Sequence, residues 1–423
     1  MSATIHAALP TEISVASYPT LQEAIKANPR RMLHLPAGDY TISAPLILNT
    51  DHSGLDGPGR VIQTNPEQPI IAIERAVGVQ IRDVTLTRAE GRMETDQDGI
   101  VARSCRDLVI ENVRVLDNRT RVGAITLREC KDSRISRCLV RNYMRVTVDD
   151  RTKSPTDGRA FNCTDGTGIL VTHSTGTLVD GNRVIEEHQM PTQESQQRHQ
   201  LGRFVKRIAQ KPPNLSQASW DAEYTTNWRQ GSAIVITAPE ASDFSRILGN
   251  HIENAAQGID LHCDHVIVSQ NIVNNAHIGM KAMHGSRNVL ITGNQFSRND
   301  LWAIGLMPGA ASHPGAEGKP ETANADGGSI IANNIISDFG HGHAHWIWGI
   351  ERSPFKFDNG QQPDDPPLTD VIVQGNLVQA IGKPRYSRAV IIAGGPNTPR
   401  GLHFSNNLFH PGTQGIANIE LPQ

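Results

Sequence analysis

The sequence predicts an all-β solenoid, a parallel β-helix with a capping helix at its N-terminus and long loop insertions flanking one sheet. Two observations carry that expectation. Between Gly258 and Phe296 one short unit occurs twice: an apolar strand opening at Gly (GIDLH, then GMKAM), a small polar corner, a short aliphatic strand, an Asn and a further apolar strand. Asn271 and Asn294 hold the same place in it, 23 residues apart, which is the length of one coil. The same place recurs at Asp83, Asn112, Cys138, Asn182, Asn250, Asn334, Asn376 and Asn407, so ten coils carry a matching corner. Asn suits such a corner because it tolerates left-handed backbone geometry and its amide can bond the same amide one rung away. The second observation is an aromatic content of only 4%, as expected of a narrow core filled by stacked Ile, Val and Leu.

A chain of 423 residues would ordinarily divide into two or three domains, but a solenoid grows along one axis and can use the whole length as one. The expectation is a single domain over 1–423, with a cap at 1–50 and coils at 51–420. With 40 basic and 43 acidic residues, no global positive field points to nucleic acid. No apolar run reaches membrane-span length, and MSATIHAALP lacks the regions of a signal peptide. The expected location is cytoplasmic as written, or periplasmic or secreted if the natural N-terminus was trimmed. Cys105, Cys130, Cys138, Cys163 and Cys263 are too scattered for a disulfide framework or a C-x-x-C zinc site. Cys105 and Cys130 follow IVAR and ITLR at the same offset, so they are expected to stack as reduced thiols on neighbouring coils.

Near the start, Thr20 and Glu23 make a capping box, with Leu21, Ala24 and Ile25 on one face of the helix TLQEAIKA. Such a helix plugs the open end of a solenoid, where strand edges and core would otherwise be exposed. The order T-L-Q-E-A-I, then L-P-A-G-D-Y, then a strand resembles the N-terminal cap of pectate-lyase-like β-helix proteins and phage tailspike depolymerases. That resemblance implies a right-handed parallel β-helix of a carbohydrate-active superfamily.

The spacing between corners stretches in places, which predicts insertions at about 141–166, 187–231, 308–327 and 352–368. Insertions in a solenoid project from its turns and build walls around a binding face. In the superfamily that this chain resembles, substrates lie on the sheet whose strands open with G-I, and all four insertions would flank it. Side chains alternate along a strand. Ile259 and Leu261 therefore point inward and Asp260 and His262 outward, followed on later rungs by Lys281 and Met283, Gly305 and Met307, and Glu351. Earlier rungs offer Arg128, Thr172 and Thr237. Rungs lie about 4.8 Å apart, so Asp260 and Lys281 should touch, with His262 beside them and His284 reaching the same space from its corner. Gly305 is expected to leave an open space one rung on. An Asp–Lys pair on stacked rungs can equally be an ordinary exposed ion pair contributing about 0–1 kcal/mol; the convergence of four insertions favours the functional reading.

The string G-I-D-L-H resembles the Asp-Pro-His segment of mannuronan C5-epimerases, with Leu261 in place of Pro and Gln257 where those enzymes have a catalytic Tyr. The corner K-A-M-H-G is similar to the T-L-R-H-G corner of alginate-lyase and chondroitinase-B-like enzymes, with Met283 in place of Arg. The resemblance implies uronate chemistry, which begins by removing the proton α to the sugar carboxylate while a cation stabilises the developing charge. A carboxylate beside an ammonium favours the charged form, so His262 is the better base than Lys281. Asp260 would orient it, and Arg128 or His284 would face the carboxylate. The expected function is a polysaccharide lyase. The alternatives are a glycoside hydrolase or fructotransferase-like transglycosylase, in which Asp260 works with Glu351 or with a loop carboxylate such as Asp221 or Glu223, and a non-catalytic glycan-binding spike.

The insertions add candidates. Trp220, Glu223, Trp228 and Arg229 fall in an aromatic-rich stretch suited to stacking on sugar rings, although a loop packing its own small core would look the same. His341, His343, His345 and Trp346 form a strand-like run, read as substrate contact rather than as a metal site because no further ligand can be named. No cofactor is expected; calcium is the one cation that Asp149–Asp150 and Asp364–Asp365 suggest, though such pairs are usually just solvated. A basic amphipathic helix near Gln196–Lys211 would cover a groove edge or a neighbouring subunit, in keeping with a homotrimer.

Overall fold

The computed structural model describes residues 13–148, 162–187, 227–229, 231–239, 241–308, 325–342, 351–359 and 365–423. Among them, strands assemble into three long parallel sheets of 11, 13 and 12 strands, and the coils supply each sheet in turn. The 11-stranded sheet is called the site sheet below. Five of its strands matter most: β1 (Ser232–Thr237), β2 (Gln257–His262), β3 (Ile278–Met283), β4 (Trp302–Met307) and β5 (Ser353–Phe357). Between β2 and β3 the chain passes through Ile267–Ser269 in the second sheet and Ile272–Asn274 in the third.

Register makes the interior. Ile234, Ile259, Met280, Ile304 and Phe355 stack in one inward column, and Ile236, Leu261, Ala282, Leu306 and Phe357 in the next. None is more than 2% exposed, and burying each large aliphatic side chain is worth about 1.5–3 kcal/mol. In the corner between the second and third sheets, Asn182, Asn250, Asn271, Asn294, Asn334, Asn376 and Asn407 form a continuous chain. Each donates its side-chain amide and its backbone N–H to Oδ1 of the next, all at 2.9–3.0 Å. The backbone N–H of Cys138 begins the series by donating to Asn182 at 2.9 Å.

The ladder differs from the sequence expectation in two respects. The left-handed residue is not the ladder Asn but the one before it, such as Gly249 (φ 63), Gln270 (φ 58) and Gly293 (φ 66). Asn112 and Asp83 occupy this left-handed place, at φ 52 and 61, so the side chains in line with the ladder are the buried Val113 and Val84. Asn112 donates instead to Asp83 at an exposed position, 2.6 Å away. The left-handed residue turns the chain so that its successor enters the interior, and only an amide there can bond the coil on either side.

Amides also close the ends. Thr20 caps the helix Leu21–Ala27, accepting from the Glu23 N–H at 3.2 Å and donating to the Glu23 carboxylate at 3.1 Å. From that helix Gln22 pairs with both backbone groups of Ile47, on the first strand of the site sheet, at 2.8 and 3.3 Å. At the other end Asn418 does the same for Ile392, on the last strand, at 2.9 and 2.8 Å. Each side chain satisfies a donor and an acceptor that a bare edge would leave open.

Cys105, Cys130, Cys138 and Cys263 are buried free thiols, and Cys105 and Cys130 lie on adjacent coils. The first two insertions meet one another: Arg145–Val148 pairs antiparallel with Asn162–Asp165, which pairs in turn with Asn227–Arg229. The fourth insertion begins later than expected, because Ser353–Phe357 is β5 and buries Phe355 and Phe357.

Removing one ladder amide should orphan the buried donors of its neighbour. Asn271→Ala leaves the Asn250 backbone N–H and one of its two side-chain N–H groups without their acceptor, the other still bonding the Val179 carbonyl, and is expected to lower stability by about 2–4 kcal/mol. Asn112→Gly should change it by less than about 0.5 kcal/mol. Denaturant midpoints of the two variants test this, and equal losses would contradict the ladder's role.

Candidate functional site

The outward column of the site sheet runs Val235, Asp260, Lys281, Gly305, Lys356. Asp260 sits between two nitrogen groups: Nε2 of His262 lies 3.0 Å from its Oδ1, and Nζ of Lys281 lies 3.4 Å from its Oδ2. Their side chains keep only 11%, 11% and 14% of their exposure, for Asp260, His262 and Lys281 respectively. The His284 ring stacks on that of His262, with centroids 5.5 Å apart and planes 21° from parallel. An acid, two imidazoles and an ammonium thus converge where strand alternation and coil length place them.

Burial acts on Asp260 to raise its pKa, since a desolvated carboxylate prefers to be neutral. The charges of Lys281 and His262, and their hydrogen bonds, outweigh burial and hold the group well below the usual carboxylate range. Asp260 is therefore an anion across the whole physiological range. Asp326 shows the opposite outcome: burial pushes its pKa well up, against the smaller effect of the Gly285 and Ser286 N–H groups that it accepts from.

The space expected beside Gly305 is filled. A Cβ on Gly305 would lie 3.2 Å from Cε3 of Trp302, so the indole rests against the outer face of β4. Trp302 packs with Ile278 and Leu301 in an apolar cluster separate from the main core, and Met307 packs against it. Trp302 is not among the sequence candidates. Its signal lies in the register, because it follows Gln257 and Ile278 in one outward column of an aromatic-poor chain.

Other candidates lie apart. Arg128 is three rungs from His262, through Thr172 and Thr237, or about 14 Å. Its charge is felt by Asp98, whose pKa is raised by burial against the Thr126 and Gly123 hydrogen bonds and the smaller effect of Arg128. It cannot face the same sugar carboxylate as His262. Glu351 is not on the strand: the outward residue of that rung is Lys356, and Glu351 binds Ser387 at 2.5 Å and Arg388 at 2.9 Å. The reason is the demand for inward bulk, which Phe355 and Phe357 meet, moving the strand five residues downstream, from Glu351 to Lys356 in the outward column.

Trp220, Asp221, Glu223, His343, His345 and Trp346, the acidic residues Asp149, Asp150 and Asp364, and the stretch 196–211 lie outside the described residues. Trp228 and Arg229 lie on the short strand Asn227–Arg229. Among the described residues no group of three His, Cys, Asp or Glu side chains is arranged to hold a metal ion.

The chemistry available is proton transfer. His262 donates from Nε2 to Asp260, leaving as its basic nitrogen Nδ1, which is buried in this structure, and Lys281 commits one of three ammonium protons to Asp260. Asp260 should stabilise the fold in its charged form, and the sign follows from its lowered pKa. Its contribution is complete above the unfolded value, near pH 4, and is lost as pH falls below it. Wild type should therefore lose more stability between about pH 5 and about pH 2 than Asp260→Asn, which should be weaker at neutral pH by on the order of 3 kcal/mol because Lys281 is left unpaired. Denaturant midpoints across that range test this, and parallel profiles would contradict it.

No family model matches the chain, and no curated protein matches it. Among solved structures, the catalytic domain of a GH87 α-1,3-glucanase in complex with nigerose aligns at 12% identity and TM-score 0.60, covering 99% of this chain and 68% of that one. A DFA-IIIase from Arthrobacter chlorophenolicus A6 in complex with GF2 aligns at 12% identity and TM-score 0.59, covering 97% and 98%. The A-module of a mannuronan C-5 epimerase from Azotobacter vinelandii aligns at 13% identity and TM-score 0.50, covering 93% and 99%. At such identities the likeness is one of fold, and by its three stacked sheets and these neighbours the chain is a right-handed parallel β-helix.

Proposed function

We propose that this β-helix is a carbohydrate-active enzyme that binds a glycan along the site sheet and, more narrowly, a polysaccharide lyase acting on a uronate-containing chain. The observation that carries the reading is the ionised Asp260 held between His262 and Lys281. In it, substrate binding opens Nδ1 of His262, which is covered here, and Nδ1 takes the proton α to the sugar carboxylate while Asp260 fixes the ring and stabilises the resulting imidazolium. The electron pair left on C5 forms the C4–C5 double bond, the bond from C4 to the glycosidic oxygen breaks, and that oxygen takes the proton back from the imidazolium. The remaining protons of Lys281 face the substrate carboxylate, where negative charge develops. His284 holds the plane of His262, and Arg128 binds a sugar unit further along the groove. This mechanism needs no metal. The saccharide-linked names of the structural neighbours support a glycan as ligand and leave the reaction class open.

Glycoside hydrolysis or transglycosylation is the second reading. It needs a second carboxylate within about 5–9.5 Å of Asp260; Glu351 is tied to Arg388, so the role would fall to Asp221 or Glu223.

Incubation with alginate, polygalacturonate, hyaluronan and neutral glucans separates these readings. Ultraviolet absorbance of an unsaturated product supports the lyase, new reducing ends without absorbance support the hydrolase, and binding with neither supports a non-catalytic spike. His262→Ala and Asp260→Asn should each lower kcat about 10²–10⁴-fold with the fold retained by circular dichroism. A fully active double variant would remove the site.

A further inference from the structure

His284 owes its place to a residue from the following coil. Asp326 is 3% exposed, and its Oδ1 accepts from the backbone N–H of Gly285 at 2.6 Å and of Ser286 at 2.8 Å. These are the two peptide groups that follow His284 in the chain. His284 itself is left-handed, at φ 50, a conformation that costs a residue with a Cβ roughly 1–2 kcal/mol. Its ring, only 2% exposed, lies on His262, and His262 bonds Asp260. An unbroken series of contacts thus runs from Asp326 to the Asp260 carboxylate.

Turn bracing alone does not call for a carboxylate. On the same edge of the solenoid, earlier coils brace single turn N–H groups with either a hydroxyl or a carboxylate, Asp243 accepting from the Asp264 N–H at 3.1 Å. Ser174 accepts from the Cys130 N–H at 2.9 Å, and Ser242 from the Ser174 N–H at 3.2 Å. A hydroxyl is cheap to bury, whereas a buried carboxyl is not. Asp326 is accommodated although Oδ2 has no hydrogen-bond partner. What its longer arm adds is a grip on two consecutive N–H groups, which fixes the orientation of the peptide leaving His284 and not merely its position.

We propose that Asp326 is a positioning residue for the histidine pair: by clamping the Gly285–Ser286 backbone it keeps His284 stacked on His262, and so keeps the His262 ring directed at Asp260. The functional consequence rests on the reading of His262 as the reactive base, but the structural claim does not. Asp326 touches none of the reacting groups and acts only through the corner.

The test reads the rings directly. Full-length protein labelled with ¹⁵N-histidine is compared as wild type, Asp326→Asn, Asp326→Ala and Ser242→Ala, with His262→Gln and His284→Gln spectra assigning two of the 17 histidines. Asp326→Asn keeps an acceptor oxygen and should leave both ring-nitrogen signals in place. Asp326→Ala should shift and broaden the signals of His284 and also of His262. Ser242→Ala removes a brace of the ordinary kind and should lower the denaturation midpoint without moving either signal. If Asp326→Ala does not fold, Asp326→Ser should shift the same two signals. The proposal is overturned if whichever of Asp326→Ala and Asp326→Ser folds leaves both histidines unmoved, or if Ser242→Ala moves them equally. Since no substrate enters the measurement, its failure would leave the proposed reaction standing, and an inactive wild type would leave the clamp standing.

Discussion

The structure depends on locked register between coils. Parallel strands can in principle slide past one another, and a slip of one residue would exchange the inward and outward faces of every strand beyond it. Here the chain of Asn amides from Asn182 to Asn407 binds each coil to the next through a side chain and a backbone group at once. The Ile and Leu columns beside it fill the core only in that alignment. Asp260 lies against Lys281, and not against Met280 or Ala282, because this alignment is enforced along the whole solenoid. The site is a product of the scaffold's repeat, read on its outer side.

The polar chemistry is governed by how each buried carboxylate is compensated. Asp260 has an ammonium and an imidazole within hydrogen-bond reach, and these overcome its desolvation. Asp326 has only peptide N–H groups and a more distant Arg287, and desolvation prevails. Asp98 is likewise raised, with Arg128 and Arg103 as its weakest helpers. The same residue type on one solenoid is thus held well below the usual carboxylate range in one place and pushed above it in two others. The difference lies in which charges the coil above and the coil below contribute.

The repeat is legible in the sequence because its period is written in residues that only a stacked corner rewards: Asn271 and Asn294, and their counterparts from Asn182 to Asn407. The same period places Asp260, His262 and Lys281 together, since strand alternation and coil length are both local quantities. Where the pattern loses its amide, as at Asp83 and Asn112, the nearest polar residue mimics the ladder position from one place too early. Where a strand is marked only by bulk, as at Ser353–Phe357, the register read from sequence slips and brings Glu351 to a face that Lys356 occupies.

By itself the sequence determined the stacked-strand architecture, the capping helix and the Asp–His–Lys convergence, because each follows from spacing along a regular element. Tertiary structure alone decided that Trp302 covers Gly305, that Asp98 is bound by Thr126 and Gly123, and that Asp326 holds the His284 corner. Those contacts join groups whose separation in sequence includes an insertion or a side-chain rotation. No periodicity encodes them; packing and burial choose among the arrangements that the repeat allows.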